Sequence, residues 1–351
     1  MSEEFYSLVA EKSAIVGAVI GISLVIAMYS TWAERKVAAF MQDRKGPNRA
    51  GIFGLLQPFA DGLKLFSKEE IIPTHAAKFL FVLGPAIAMM VACVMGAVIP
   101  WSSAFTLGER TIIPQVADIN IGILYIFGIV SVGVYGIMLG AWASNNKWSL
   151  MGGLRGASQT ISYELPMGIA LITVLMVTGT LQMGKIVDLQ MDKTWNIVWQ
   201  PLGFLIFLVC AFAETNRTPF DLPETENELI GGYTSEYSSM KLGFYLFAEY
   251  INMFTSSAVM VTLYFGGYDI PFINDGKLAE SIGINWLSAL HLIMIFIKII
   301  GFILFFMWVR WTIPRFRYDQ LMTLGWKKLI PLALFNMLLT GLIILTFFNH
   351  K

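Results

Sequence analysis

Apolar runs about twenty residues long recur from one end of this chain to the other, and few architectures tolerate that. Eight such runs can be read, near 11–32, 78–100, 119–143, 158–181, 199–214, 240–266, 289–310 and 328–348. A helix needs about twenty apolar residues to cross a hydrocarbon layer of about 30 Å. Within that layer every backbone polar group must be satisfied internally, so continuous apolar runs read as helices rather than open strands. The expected fold is all-α: a polytopic integral membrane helix bundle, a single membrane domain over 1–351, with about eight transmembrane helices and one amphipathic helix near 52–67. Charge is correspondingly sparse, at 14% of the 351 residues, where soluble domains carry about 25%. The net charge is zero, which gives no bulk attraction for nucleic acid.

Metal and nucleotide chemistry find no foothold in the residues. Cys93 and Cys210 lie inside apolar runs, and His75, His291 and His350 are scattered. No CxxC pair, metal-ligand cluster or glycine-rich fingerprint after a strand is present. The start is acidic (Glu3, Glu4) and no small-residue cleavage site precedes the first run, so the N-terminus is expected to be retained.

Basic residues set the expected orientation. Alternate loops hold sixteen Lys and Arg, among them Arg35, Lys64, Arg155, Arg217, Arg310 and Arg315; the other set, with both termini, holds six. Both termini are therefore expected outside, with the basic loops in the cytoplasm. No inverted internal repeat of the transporter kind is visible.

The most informative inside loop is 213–237, AETNRTPFDLPETENELIGGYTSEY. It sets six acids (Glu214, Asp221, Glu224, Glu226, Glu228, Glu236) against one base, Arg217. A carboxylate-rich segment at the end of a span is costly near lipid and is a functional candidate; the bland alternative is a solvated acidic loop. Pro219 and Pro223 stiffen it. The first inside loop places Leu56, Phe59, Ala60, Leu63 and Phe66 on one helical face and Gln57, Asp61, Lys64 and Lys68 on the other. That is an amphipathic helix too short to span, resting on the lipid surface or lining a lipid-facing path.

Three further acids and bases lie at membrane depth. In the second inside loop, NNKWSLMGGLRGASQTISYELP, Gln159, Tyr163 and Glu164 fall within about one turn and are expected to bond locally or face a shared cavity. Glu249 is buried in the sixth span with Tyr245 and Asn252 on its face and no base beside it, which suits a proton carrier better than a fixed charge. Lys298 lies inside the seventh span, and a carboxylate partner is expected for it. Glu214 ends the fifth span and Glu164 begins the fourth. Antiparallel neighbours are expected to bring Glu164, Glu214 and Glu249 within reach through water, as a proton relay.

Four long motifs now point to one family. AETNRTPFDLPE with E-x-E-L and TSEY, ERKVAAFMQDRKGPNRAGIFGLLQPFADGLKLFSKE, NNKWSLMGGLRGASQTISYE with FAEYINM, and WVRWTIPRFRYDQLM together span about 33–322. The chain closely resembles the H subunit of respiratory complex I, mitochondrial subunit 1, the membrane subunit that holds the quinone chamber. The resemblance implies a proton-pumping NADH:quinone oxidoreductase in a bacterial inner membrane, with quinone as substrate. NADH, FMN and iron–sulfur clusters would belong to partner subunits. It implies peripheral-arm subunits, which carry the clusters and the quinone headgroup site, docked over the inside loops. Small membrane subunits and antiporter-like subunits would lie alongside in the lipid. It implies a coupling loop with Asp221, Glu224, Glu226 and Glu228, and a quinone path with Glu34, Arg35, Phe59, Asp61, Leu63, Arg310 and Arg315. One departure stands out: some members carry an acid in the third span, where this chain has none between 119 and 143, with Ser131 instead. A membrane subunit of an ion-pumping hydrogenase or formate-oxidising complex is the alternative, with the same fold and another electron route. A free-standing transporter is disfavoured by the missing repeats.

Overall fold

The computed structural model describes residues 3–347 except 108, 109, 193, 272 and 274. Its elements run in chain order as α1 (Glu3–Met41), α2 (Gln57–Ser67), α3 (Lys78–Met95), β1 (Phe105–Leu107), β2 (Arg110–Ile112), α4 (Gly122–Ala143), α5 (Lys147–Thr178), α6 (Met183–Asp192), α7 (Asn196–Trp199), α8 (Pro201–Glu214), α9 (Glu226–Leu229), α10 (Ser239–Tyr264), α11 (Asp275–Ile282), α12 (Ile284–Thr312), α13 (Tyr318–Thr323) and α14 (Ile330–Phe347). β1 and β2 form one small antiparallel hairpin between α3 and α4. The protein is an all-α polytopic membrane bundle.

Among the described residues, seven helical stretches are long and apolar enough to cross a membrane: Leu8–Met41, Lys78–Val98, Gly122–Ala143, Lys147–Thr178, Ser239–Tyr264, Ile284–Thr312 and Tyr318–Thr346. The eighth apolar helix, α8, has 14 residues, about 21 Å at 1.5 Å per residue. Pro201 starts it, where the missing N–H costs nothing.

Two stretches that read as loops are helical. α1 runs on to Met41, so Glu34 and Arg35 sit on a helix. α5 begins at Lys147, capped by the Asn146 side chain on the Trp148 N–H, and takes in the whole glycine-rich run. Glycine weakens a helix by about 1 kcal/mol relative to alanine, but packing requires it here. A Cβ at Gly152 would lie 2.7 Å from the Tyr233 amide nitrogen, and one at Gly153 would overlap the Ala141 methyl.

α10 sits between two buried clusters. One joins it to α5, α8 and α12 through Met167, Phe207, Phe254 and Phe306. The other joins it to α1, α3 and α4 through Ala27, Phe81, Ala88 and Tyr245. The α3–α4 crossing is close because Gly84, Gly136 and Gly140 leave room for it and for the Tyr245 hydroxyl, which donates to the Gly136 carbonyl at 3.0 Å.

Candidate functional site

After Glu214 the chain folds back into the bundle instead of leaving it. Phe220, Asp221, Leu222 and Thr225 are all buried. The Gln159 amide on α5 donates to the Ala213 and Phe220 carbonyls at 2.8 and 2.7 Å and to Asn216 Oδ1 at 3.2 Å. Phe220 packs between Tyr163 and Phe316, and the Phe316 N–H donates to the Pro219 carbonyl at 3.2 Å. Gly232 is required by its φ of 57° and by space: a Cβ there would overlap the Pro223 carbonyl oxygen.

The loop's charges pair with charged groups from three other segments. Glu34 on α1 is the hub. Its Oε2 accepts from Arg217 Nη1 at 3.2 Å and from the Tyr250 hydroxyl at 2.8 Å, and its Oε1 accepts from Arg310 Nη1 at 2.6 Å. The Arg217 guanidinium also lies over the Tyr250 ring, 4.0 Å from its centroid. Arg315 pairs with Asp221 at 3.1 Å, and Arg155 with Glu228 at 2.6 Å. Arg35 pairs with Asp61 at 2.8 Å, which ties α2 to α1. Phe59 and Leu63 on α2 are exposed on its outer side. The side chain of Glu226 lies outside the described residues.

Burial pushes the Asp221 carboxyl up to about 7; Glu224 beside it adds to this, while Arg315, Arg310 and Arg217 oppose it. Burial likewise pushes Glu224 up to about 8, with the Glu249 charge adding and Arg217 opposing. Both carboxyls are therefore shifted toward the protonated form.

Behind the loop lies an internal cavity between α3, α4, α5, α8 and α10, lined by Glu214, Asn216, Tyr233, Tyr245, Glu249 and Asn252, with Val130 and Ile137 on its apolar wall. Its water-accessible volume is about 70 Å³, room for a few waters. Glu214 Oε2, Asn252 Oδ1 and Arg217 Nε and Nη2 are buried without a hydrogen-bond partner among the described residues, so their hydrogen bonding is open to water or a ligand.

The three relay glutamates are therefore arranged unequally. Glu214 and Glu249 line one cavity. Glu164 does not line it: it accepts a hydrogen bond from the Ser131 hydroxyl on α4 and acts electrostatically on Glu214. Ser131 thus gives the third long helix a polar contact to the glutamate chain where an acid is missing. Gln159, Tyr163 and Glu164 do not share a cavity. Helical rotation sends Gln159 to the loop, the Tyr163 hydroxyl to the Leu321 carbonyl at 3.0 Å, and Glu164 to α4.

A family model described as NADH dehydrogenase matches residues 13–341. The chain belongs to the NADH dehydrogenase family. It is 65% identical over 339 residues to the NADH-quinone oxidoreductase H subunit 1 of Cytophaga hutchinsonii, covering 96% of this chain and 97% of that one. It is 61% identical to the NADH-quinone oxidoreductase H subunit of Flavobacterium psychrophilum, covering 97% and 98%. It is 46% identical to NADH-quinone oxidoreductase subunit 8 of Rhodothermus marinus, covering 92% and 94%.

Other features of this NADH dehydrogenase family member leave little trace in its sequence. Arg217, Tyr233 and Tyr250 are central to the site, yet a single base and two tyrosines carry no local signal. Lys298 has no carboxylate partner among the described residues, which corrects the expectation. Its ammonium donates to the carbonyls of Phe265, Gly267 and Asp269 at 2.7, 2.9 and 2.7 Å and lies over the Trp195 ring. Those carbonyls belong to the C-cap and the turn that follow α10, and the Asp269 carboxylate accepts instead from Trp195 Nε1 at 2.6 Å. On that same side His291 Nδ1 lies 2.9 Å from the Ser103 hydroxyl and its Nε2 3.2 Å from Asp275. Among the described residues no group of three or more His, Cys, Asp or Glu is placed to hold a metal ion.

Proposed function

We propose that this protein is the quinone-chamber membrane subunit of a proton-pumping NADH:quinone oxidoreductase, and that its own chemistry is proton handling rather than electron carriage. The observation that carries this reading is the hub of Glu34, Arg217, Arg310 and Tyr250, with the Glu34–Arg217 pair buried, continuous through the 213–237 loop with a cavity lined by Glu214 and Glu249. Near-full-length identity to chains named as the H subunit of NADH-quinone oxidoreductase supports it.

Quinone reduction draws protons and creates transient negative charge. A quinone path past Glu34, Arg35, Arg310 and Arg315, with Phe59, Asp61 and Leu63 on α2 at its mouth, would deliver that charge beside Asp221 and Glu224. These groups titrate near neutral pH and respond by taking up protons. Glu224, Glu226 and Glu228 share the loop, and the cavity passes the change to Glu249 and Glu214, with Glu164 next in line. Closely spaced acids cannot all ionise cheaply, so one redox event redistributes their protons. Electrons would enter from iron–sulfur clusters in peripheral-arm subunits docked over the basic loops, with NADH and FMN held there too. Small and antiporter-like membrane subunits would carry the coupling onward. The bacterial relatives support an inner-membrane location, and the basic-residue asymmetry supports both termini outside.

The test uses the assembled complex in vesicles. Glu249→Gln and Glu214→Gln should leave NADH oxidation by an artificial acceptor within about twofold. Quinone reduction and proton translocation should fall together by roughly tenfold or more. Wild-type rates in both variants would make these carboxylates structural and remove the coupling role.

A further inference from the structure

Within the 213–237 loop, one side chain both lines the cavity and bonds to Glu249 on α10. Tyr233 is 1% exposed, lines the cavity, and donates its hydroxyl to Glu249 Oε1 at 3.2 Å. Glu224 follows Pro223, whose carbonyl accepts from the Tyr233 N–H, and its charge acts on both that hydroxyl and Glu249.

Its position is fixed from three sides. The Tyr233 N–H donates to the Pro223 carbonyl at 3.4 Å, next to Glu224. The Ser149 hydroxyl on α5 donates to the Tyr233 carbonyl at 3.3 Å. The ring packs edge-on against Tyr245, with centroids 5.0 Å apart, and Tyr245 is in turn held by α4. A movement of the loop at Pro223 must therefore move the hydroxyl relative to Glu249.

We infer that the Tyr233 hydroxyl is the proton bridge between Glu224 and Glu249, made only when the loop is docked; this rests on the proton-handling reading above. In the step, the phenol gives its proton to the Glu249 carboxylate and accepts one from the Glu224 carboxyl. The O–H bond of Glu224 breaks, that of Glu249 forms, and the phenol is regenerated without any change in electron count. A phenol suits this because it donates and accepts at one oxygen, and burial keeps Tyr233 neutral. The charged and titratable groups facing the bridge are Glu249 and Tyr245 from α10, Glu224, Asp221, Arg217 and Tyr237 from the loop, Arg310 from α12 and Glu214 across the cavity.

The experiment is a double-mutant cycle of Tyr233→Phe and Glu224→Gln in the assembled complex, reading quinone-coupled proton translocation, its pH profile and its solvent deuterium isotope effect. Each single variant should lower translocation at least about fivefold, flatten the pH profile between about 6.5 and 8.5, and change the isotope effect. The double variant should be no worse than either single one, because both remove the same step. Independent, multiplying losses would overturn the bridge, as would a Tyr233→Phe complex that pumps with an unchanged pH profile and isotope effect. If Tyr233→Phe fails to assemble, Glu224→Gln alone decides: a wild-type pH profile there also overturns it. In either case impaired Glu249→Gln complexes would leave the broader reading standing.

Discussion

Glu34→Gln isolates the charge of the hub while keeping its size. In the wild type, the carboxylate is 8% exposed and its partner Arg217 5% exposed, so neither is solvated by water. Breaking a buried pair by removing one partner costs about 3–5 kcal/mol, since the other charge stays buried and uncompensated. Arg310 is 30% exposed and can turn to water, so its share is only about 0–1 kcal/mol. The glutamine still accepts from the Tyr250 hydroxyl, which puts the expected loss near 3 kcal/mol, the lower end of that range. Because Arg217 belongs to the folded-back loop and Glu34 to α1, the loss falls on loop docking. It raises the open population on the order of a hundredfold. Amide hydrogen exchange of 215–222 in detergent-solubilised protein measures this directly. Arg35→Gln is the control: its pair with Asp61 is 51% and 27% exposed, and its loss should change exchange less than about fivefold. A change under about tenfold at Glu34→Gln, or equal effects of the two variants, would refute the hub.

Loop docking should also depend on pH. Asp221 and Glu224 hold protons up to about 7 and about 8 when docked, so the docked loop binds more protons than the released one. The docking advantage is present at low pH and is lost as pH rises through those values. Exchange protection of 215–229, corrected for intrinsic rates, should fall from pH 6 to pH 9, and Asp221→Asn with Glu224→Gln should flatten the fall. Gly140→Ala drives a methyl into the Tyr245 hydroxyl, which should cost about 2–4 kcal/mol in overpacking and a lost hydrogen bond. Thermal melting of the solubilised protein should show it, whereas Gly128→Ala, with open space around it, should melt unchanged or slightly higher. For topology, Thr225 is buried and unsuited to labelling, but Ile230 is 71% exposed. Ile230→Cys should react only from the cytoplasmic side with peripheral subunits removed, and labelling of intact cells from outside would reverse the orientation.

The long apolar runs make the helices legible, and the cluster of acids against so little other charge makes the loop stand out. What stays hidden depends on contacts between distant residues. Glu34 meets Arg217 across 183 positions, and nothing local distinguishes either from an ordinary interfacial charge. The run around Gly152 and Gly153 reads as a turn because glycine disfavours helix; only the close approach of Tyr233 and Ala141 explains its helical state. For Lys298, the rule that buried ammonium seeks carboxylate points the wrong way. The turn after α10 offers three carbonyls instead, and their position follows from where α10 stops, which sequence marks only loosely. Ser131 reads as an empty place in an acid series until α4 and α5 are packed together.

The shortness of α8 has a consequence for where the chemistry sits in depth. Its 14 residues fall about 9 Å short of a hydrocarbon layer of about 30 Å. With its N-terminal end set at the far headgroup boundary, the shortfall lies at Glu214. The buried segment 215–222, which follows Glu214 directly, would then occupy that missing height and set a polar floor below the plane where lipid headgroups begin. An amphiphile with a long isoprenoid tail would then reach the carboxylates by moving sideways through the layer rather than by climbing out of it, and its tail need never be exposed to water.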